Sequence, residues 1–183
     1  MISMSPFVED LFSRYYSDRQ DLLATVLTHS ECVAGLALDI AERKGLEVDL
    51  DFVRDAAMLH DIGVVKCNAP SILCHGSLPY ICHGVEGGKM LREAGLEDYA
   101  RVCERHTGSG LTIEDIETQN LPLPRRDFCP VSLEEKLICY ADKFFSQSGN
   151  LREMTPLSKV ERQMAAFGEE SLRRFLLLHS LFS

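Results

Sequence analysis

Six residues of this sequence are of types that bind metal ions: His29, the adjacent pair His60 and Asp61, His83, His106 and Asp142. Neutral imidazoles and carboxylates together form a donor set suited to Fe, Mn, Zn, Co or Ni. His60 and Asp61 fall within AAMLHDIGV, so a core-packing segment ends in two ligand-type side chains. His29, in VLTHSECVAG, lies three residues after Val26 and four before Val33 and shares their inward stripe. Asp142, in LICYADKFF, follows Ile138 by four residues. A buried carboxylate is costly unless it is paired or bound to a cation. Taken singly, each residue has a structural role open to it. His29 reads as a core histidine, His83 as a helix-start residue, His106 as a cation at a helix C-terminus, and Asp142 as a partner for Lys143 or an arginine. Six together favour a metal site built between helices.

The elements that must carry these residues are helical. From Asp21, the apolar residues Leu22, Leu23, Val26, Leu27, Val33, Leu36, Ala37 and Ile40 recur at helical spacing, and Gly45 provides the stop. A second helix is expected over about 51–61, ended by Gly63, and residues 66–82 read as a loop with one short helical turn. Further helices are expected over about 83–95, 97–104 and 112–118. A Pro-rich loop follows, and a capping box at Ser132 and Glu135 opens a helix through Phe144. A second box at Ser158 and Glu161 is expected to open one terminal helix to Leu181. The N-terminal MISMSPFVEDLFSRYY reads as broken by Pro6 and its charges. No stretch alternates as a strand does. The expectation is an all-α single domain over 1–183, with about seven helices.

Composition narrows the function. The chain has 183 residues, 45% of them hydrophobic, enough for a real core. A net charge of −9 argues against nucleic acid as a partner, because no basic surface is available to replace counterions. A small phosphorylated ligand remains compatible, since a bound metal inverts the local charge. No signal peptide is evident and no apolar run reaches the roughly 18 to 20 residues needed to cross a bilayer, so the expectation is a soluble cytoplasmic protein without a membrane partner. Seven cysteines without a CxxC pair read as reduced, small buried or loop thiols.

The order His29, His60-Asp61, Asp142 resembles the HD superfamily of metal-dependent phosphohydrolases, and HDIG at 60–63 resembles its HDIG subset. His83, in ICHGVEGGKML, and His106, in ERHTGSGL, sit where some members carry two further histidines. The run from HTG to LEEKLICYADKF resembles the branch of YqeK-like diadenosine tetraphosphate hydrolases, from which this chain departs by an insertion over 111–131. The resemblance implies two divalent ions, Fe or Mn first, with Mg, Co, Ni or Zn as further options. His29, His60, Asp61 and Asp142 would hold one, and Asp61, His83 and His106 the other, with Asp61 bridging. A carboxylate can span two cations about 3.5 to 4 Å apart.

The implied reaction is attack of a metal-activated water on a nucleotide or dinucleotide phosphate. Asp61 and Lys66 are the expected catalytic residues. Lys66, Thr107, Arg125 and Lys143 are expected to contact substrate, with exposed loop charge as the alternative for Arg125 and Arg126. Glu86 is a candidate to orient His83, with a surface carboxylate as the alternative. His75 reads as a loop residue and His179 as structural. A di-iron oxygenase and a non-catalytic metal-binding module are the competing functions, and a homodimer is compatible with the sequence.

Overall fold

The computed structural model describes residues 2–183. It is all-α, as the periodicity requires, with helices α1 (Pro6–Tyr16), α2 (Gln20–Lys44), α3 (Leu50–Leu59), α4 (His83–Glu93), α5 (Glu97–Arg105), α6 (Ile113–Thr118), α7 (Leu133–Asp142), α8 (Leu157–Ala166) and α9 (Glu169–Phe182). Two differences bring the count among the described residues to nine rather than about seven. The N-terminal stretch forms α1: Pro6 stands at the start of the helix, where its missing N–H costs nothing, and Val8, Leu11, Phe12 and Tyr16 form a buried stripe. The expected single terminal helix is two. Pro156 rather than Ser158 precedes α8, and Gly168, at φ 120, separates α8 from α9 in a conformation other residues rarely adopt.

The centre is α2, packed against α3 and α7. Its length and hydropathy would suffice to cross a bilayer. Here the buried residues Val26, His29, Val33, Ala37 and Ile40 face the core, and Gly45, left-handed at φ 59, closes the helix. Helix α3 begins where Asp49 accepts a hydrogen bond from the Phe52 N–H at 3.0 Å. It ends at Leu59, and the chain passes through His60 and Asp61 into a 3-10 turn over Ile62–Lys66. Residues 66–82 form the expected loop, with a two-residue antiparallel pair, β1 (Asn68–Ala69) and β2 (Cys74–His75), and further 3-10 turns at Pro70–Ile72 and Tyr80–Cys82.

Gly63 does not act as a helix stop. It lies inside the 3-10 turn, where a Cβ would strike the His83 carbonyl and approach Gly87 Cα to 2.8 Å. The turn bearing His60 and Asp61 thus packs backbone to backbone on α4. Tyr16 donates to the Ile62 carbonyl at 3.0 Å, and the Cys103 thiol to the His60 carbonyl at 2.9 Å. All seven cysteines are free, and Cys67, Cys74, Cys82, Cys103 and Cys139 are buried, in keeping with structural thiols.

Residues 111–131, expected as an insertion, fold onto the rest of the chain. Leu111 and Phe128 exchange backbone hydrogen bonds, and Val85, Ile116 and Phe128 form a small satellite core. At its base Glu104 accepts from Arg92 at 3.0 Å and from Arg126 at 2.8 Å. The Ser132 hydroxyl caps α7, but the reciprocal arm of the box differs: the Glu135 carboxylate accepts from the Val131 N–H at 2.7 Å and from Arg105 at 2.9 Å.

Two outcomes follow from this packing. Gly63→Ala has backbone on both sides and no flexible neighbour to yield, so it should cost at least about 2 kcal/mol in urea unfolding; a loss near zero would show that α4 can move away. Burial alone would raise the Glu104 carboxyl, but hydrogen bonds from Arg92 and Arg126 hold it below its ordinary 4.5. Its folded value is depressed, so its stabilisation is complete above about pH 4.5 and is lost as pH falls through the lowered value. The two guanidinium groups are 35% and 46% exposed, which limits the expected cost of Glu104→Gln at pH 7 to about 1–2 kcal/mol. The gap between variant and parent should shrink toward pH 3; a gap that stays constant would remove Glu104 from the acid transition.

Candidate metal centre

Five of the six ligand-type residues stand at helix ends. His60 follows α3 and leads into Asp61, His83 opens α4, His106 follows α5, and Asp142 is the last residue of α7. His29 alone is mid-helix, on α2. The C-termini of α3, α5 and α7 therefore converge here, and each brings the partial negative charge of its last carbonyls.

These residues form two groups that share Asp61. His29, His60, Asp61 and Asp142 make one and Asp61, His83 and His106 the other, with the donor atoms of each group within 4.8 Å of one another. Asp61 Oδ2 faces His60 Nε2 at 3.1 Å and His29 Nε2 at 3.4 Å. Its other oxygen, Oδ1, faces His106 Nε2 at 3.2 Å and His83 Nε2 at 3.4 Å. Asp142 Oδ1 lies 2.9 Å from His29 Nε2 and 3.4 Å from His60 Nε2. His60, Asp61 and His106 are almost completely buried.

The backbone sets the ring orientation. Nδ1 of His60, His83 and His106 lies 2.6 Å from the carbonyl three residues earlier, of Ala57, Tyr80 and Cys103. A carbonyl only accepts, so each Nδ1 carries a hydrogen, and whichever of these rings is neutral presents an Nε2 lone pair to the centre. The Nε2 atoms of His83 and His106 meet at 3.0 Å. Burial pushes His83 down to about 4, so it is neutral near pH 7. Two ring nitrogens this close beside a carboxylate need a proton or a metal cation between them. Burial would also lower His60, but Asp61 and Asp142 overcome it and raise this ring to about 10. Both carboxyls stay well below 3.8 against their burial: Asp61 through His60 and His106, Asp142 through Lys143 and His29. The whole cluster draws positive charge inward. Its nitrogen and oxygen donors fit a divalent metal.

The centre floors an open cleft of about 200 Å³. Lys143, buried beside it, donates to Asp142 Oδ2 at 2.6 Å and to the His106 carbonyl at 2.9 Å. Thr107 lines the rim. Two polar side chains in the lining were not foreseen. Gln147, beyond α7, donates its amide to Asp61 Oδ2 and accepts from the Tyr80 hydroxyl at 2.7 Å, while the Tyr80 ring stacks on His83 at 4.6 Å. Neither belongs to a ligand-type pattern.

Lys66 and Arg125 lie outside the cleft lining. The 3-10 turn carries Lys66 to the surface, where its carbonyl holds Ser77 and Leu78. Arg125 is exposed and paired with Glu117, and Arg126 is taken by Glu104 and the Phe128 ring. Glu86 pairs with Lys89 at 2.6 Å rather than with His83, whose Nδ1 the Tyr80 carbonyl already accepts from. His75 is exposed in β2, and His179 bonds the Tyr140 hydroxyl at 2.8 Å.

The HD domain model matches residues 26–146, a span that begins in α2 just before His29 and ends just past Asp142. The chain belongs to the HD-domain family. This HD domain is 35% identical over 161 residues to the uncharacterized protein MJ0778 of Methanocaldococcus jannaschii, covering 87% of this chain and 86% of that one. It is also similar to two proteins named tRNA (cytidine(56)-2'-O)-methyltransferase. One, from Picrophilus torridus, is 33% identical over 75% of this chain, which spans 36% of that protein. The other, from Thermoplasma volcanium, is 27% identical over 86% of this chain, which spans 42% of it. The HD domain thus spans less than half of either methyltransferase-named relative. No solved structure matches it.

Since both oxygens of Asp61 are engaged, Asp61→Ala should abolish stoichiometric metal binding by elemental analysis while the helical circular dichroism persists. A full metal complement in that variant would overturn the shared role of Asp61.

Proposed function

We propose that this HD domain is a metal-dependent phosphohydrolase cleaving a small phosphate ester or anhydride, of a nucleotide or dinucleotide. The observation that carries the reading is the division of Asp61 between two imidazole pairs at the floor of an open cleft. In this reading His29, His60, Asp61 and Asp142 hold one divalent ion, and Asp61, His83 and His106 a second, with Fe or Mn preferred. Bound there, such ions supply an activated water and a positive field for the phosphoryl oxygens.

The chain's own residues would then act as follows. The backbone-anchored imidazoles keep their Nε2 atoms turned inward without reorganisation. Lys143, poised beside Asp142, places a fixed positive charge where phosphoryl oxygens gain negative charge. It takes the role that the sequence assigned to Lys66. Thr107 offers a hydroxyl at the rim. The cleft, at about 200 Å³, is below the roughly 300 Å³ of a small ligand pocket, so it would take a phosphoryl group and leave the remainder of the substrate outside. The acidic chain favours a small substrate over a polynucleotide, and the resemblance of the run from HTG to LEEKLICYADKF keeps diadenosine polyphosphates among the candidates.

The test is release of phosphate or nucleotide from mono-, di- and cyclic nucleotides and diadenosine polyphosphates, with Mn²⁺ or Fe²⁺ and with Asp61→Ala as the control. Turnover should appear with at least one class and vanish in the variant. Lys143→Gln should lower kcat by about 10²–10³ while retaining the metal. Oxygen uptake by the iron-loaded protein, with no ester cleaved, would move the assignment to an oxygenase.

A further inference from the structure

A second hollow adjoins the metal cleft. It measures about 170 Å³ and shares Thr107 and Gly108 with the cleft as a common wall. Its other walls come from elements outside the centre: Leu111 and Leu121 of the insertion, Ile81 before α4, and Phe167 at the junction of α8 and α9. These are apolar, whereas the cleft beside them is floored by carboxylates, imidazoles and an ammonium.

The charged groups of the hollow cancel each other. Arg174 pairs with Asp115 Oδ2 at 2.6 Å and also donates to the Gly110 carbonyl at 3.2 Å. The same Asp115 oxygen accepts from the Thr112 N–H at 2.9 Å. The ion pair is thus internally satisfied and leaves no free cation for a second phosphate. Arg174 Nε is a buried donor without a hydrogen-bond partner among the described residues. That Nε has almost no accessible surface and is not offered to the hollow, so the slot, with its apolar and charge-balanced walls, suits a flat, uncharged ring.

We propose that this hollow is the subsite for the leaving group of the substrate, and that the leaving group carries a heteroaromatic ring, as a nucleoside does. The assignment rests on the phosphoryl-transfer reading of the neighbouring cleft. A phosphoryl group on the metal floor has its ester oxygen directed along the Thr107–Gly108 wall, and the ring lies beyond it. The insertion, which has no part in the metal centre, then acts as a selectivity element.

The test separates the hollow from the chemistry by using ligands without phosphate. Adenosine, uridine and ribose are titrated into the full-length protein and followed by NMR shifts, with inorganic phosphate plus Mn²⁺ as the probe of the cleft. At least one nucleoside should bind about tenfold or more tightly than ribose. Phe167→Asp, at a residue 57% exposed and so tolerant of charge, and Leu121→Glu should each remove that preference and leave phosphate binding unchanged. Equal binding of nucleosides and ribose, or a preference surviving both substitutions, would overturn the proposal. Intact nucleoside preference with no ester cleaved would instead overturn the hydrolase reading and leave the ring-binding hollow standing.

Discussion

Buried carboxylates in a helical core must be neutralised, and the arrangement around Asp61 and Asp142 answers that demand. Asp61 is 1% exposed and the Asp142 side chain 13%, and each faces the Nε2 atoms of two or more imidazoles. One internal cation, Lys143, offsets part of the charge. The helices, the short 3-10 turn and the tight glycine contacts all serve to keep these donors together despite their mutual repulsion. The stability of the surrounding core is what makes the unfavourable centre tenable.

The anchoring device is local and repeated. A helix end leaves carbonyls without partners, and a histidine placed three residues later satisfies one of them while fixing its own ring. His60, His83 and His106 each use this geometry on a different element. His29 differs: it comes from mid-helix, its Nδ1 is buried without a partner, and neighbouring side chains must hold it. Gly63 and Gly87 let the turn bearing Asp61 approach α4 closely enough for His83 to share that carboxylate.

Much of this was legible in the sequence, for reasons that differ from residue to residue. The inward stripe of α2 places His29, and the ends of apolar runs place His60 and Asp142, because helical periodicity reports burial directly; His106 was placed only by the break after its helix. Where the pattern misled, the cause was local geometry. Pro6 reads as a breaker but stands at the first turn, where it is harmless. Lys66 is near Asp61 in sequence, yet the 3-10 turn rotates it to solvent. Ser158 and Glu161 have the spacing of a cap, but α8 begins at Leu157 after Pro156. Tyr80 and Gln147 meet only through the tertiary fold, being 67 residues apart, and no spacing rule connects them.

The direction of the helices has a further consequence. Three of the helix ends at the cleft floor, those of α3, α5 and α7, are C-termini and one, that of α4 at His83, is an N-terminus, so the balance is the reverse of the N-terminal cradle that holds phosphate in many folds. An anion arriving alone meets two carboxylates and three negative helix ends, against the single N-terminus of α4 and the Lys143 ammonium. With cations seated it meets a positive surface instead. Helix polarity thereby couples the two kinds of ligand: a cation and an anion bound here would each strengthen the other's binding, and affinity for an anion would follow the free metal concentration around the protein.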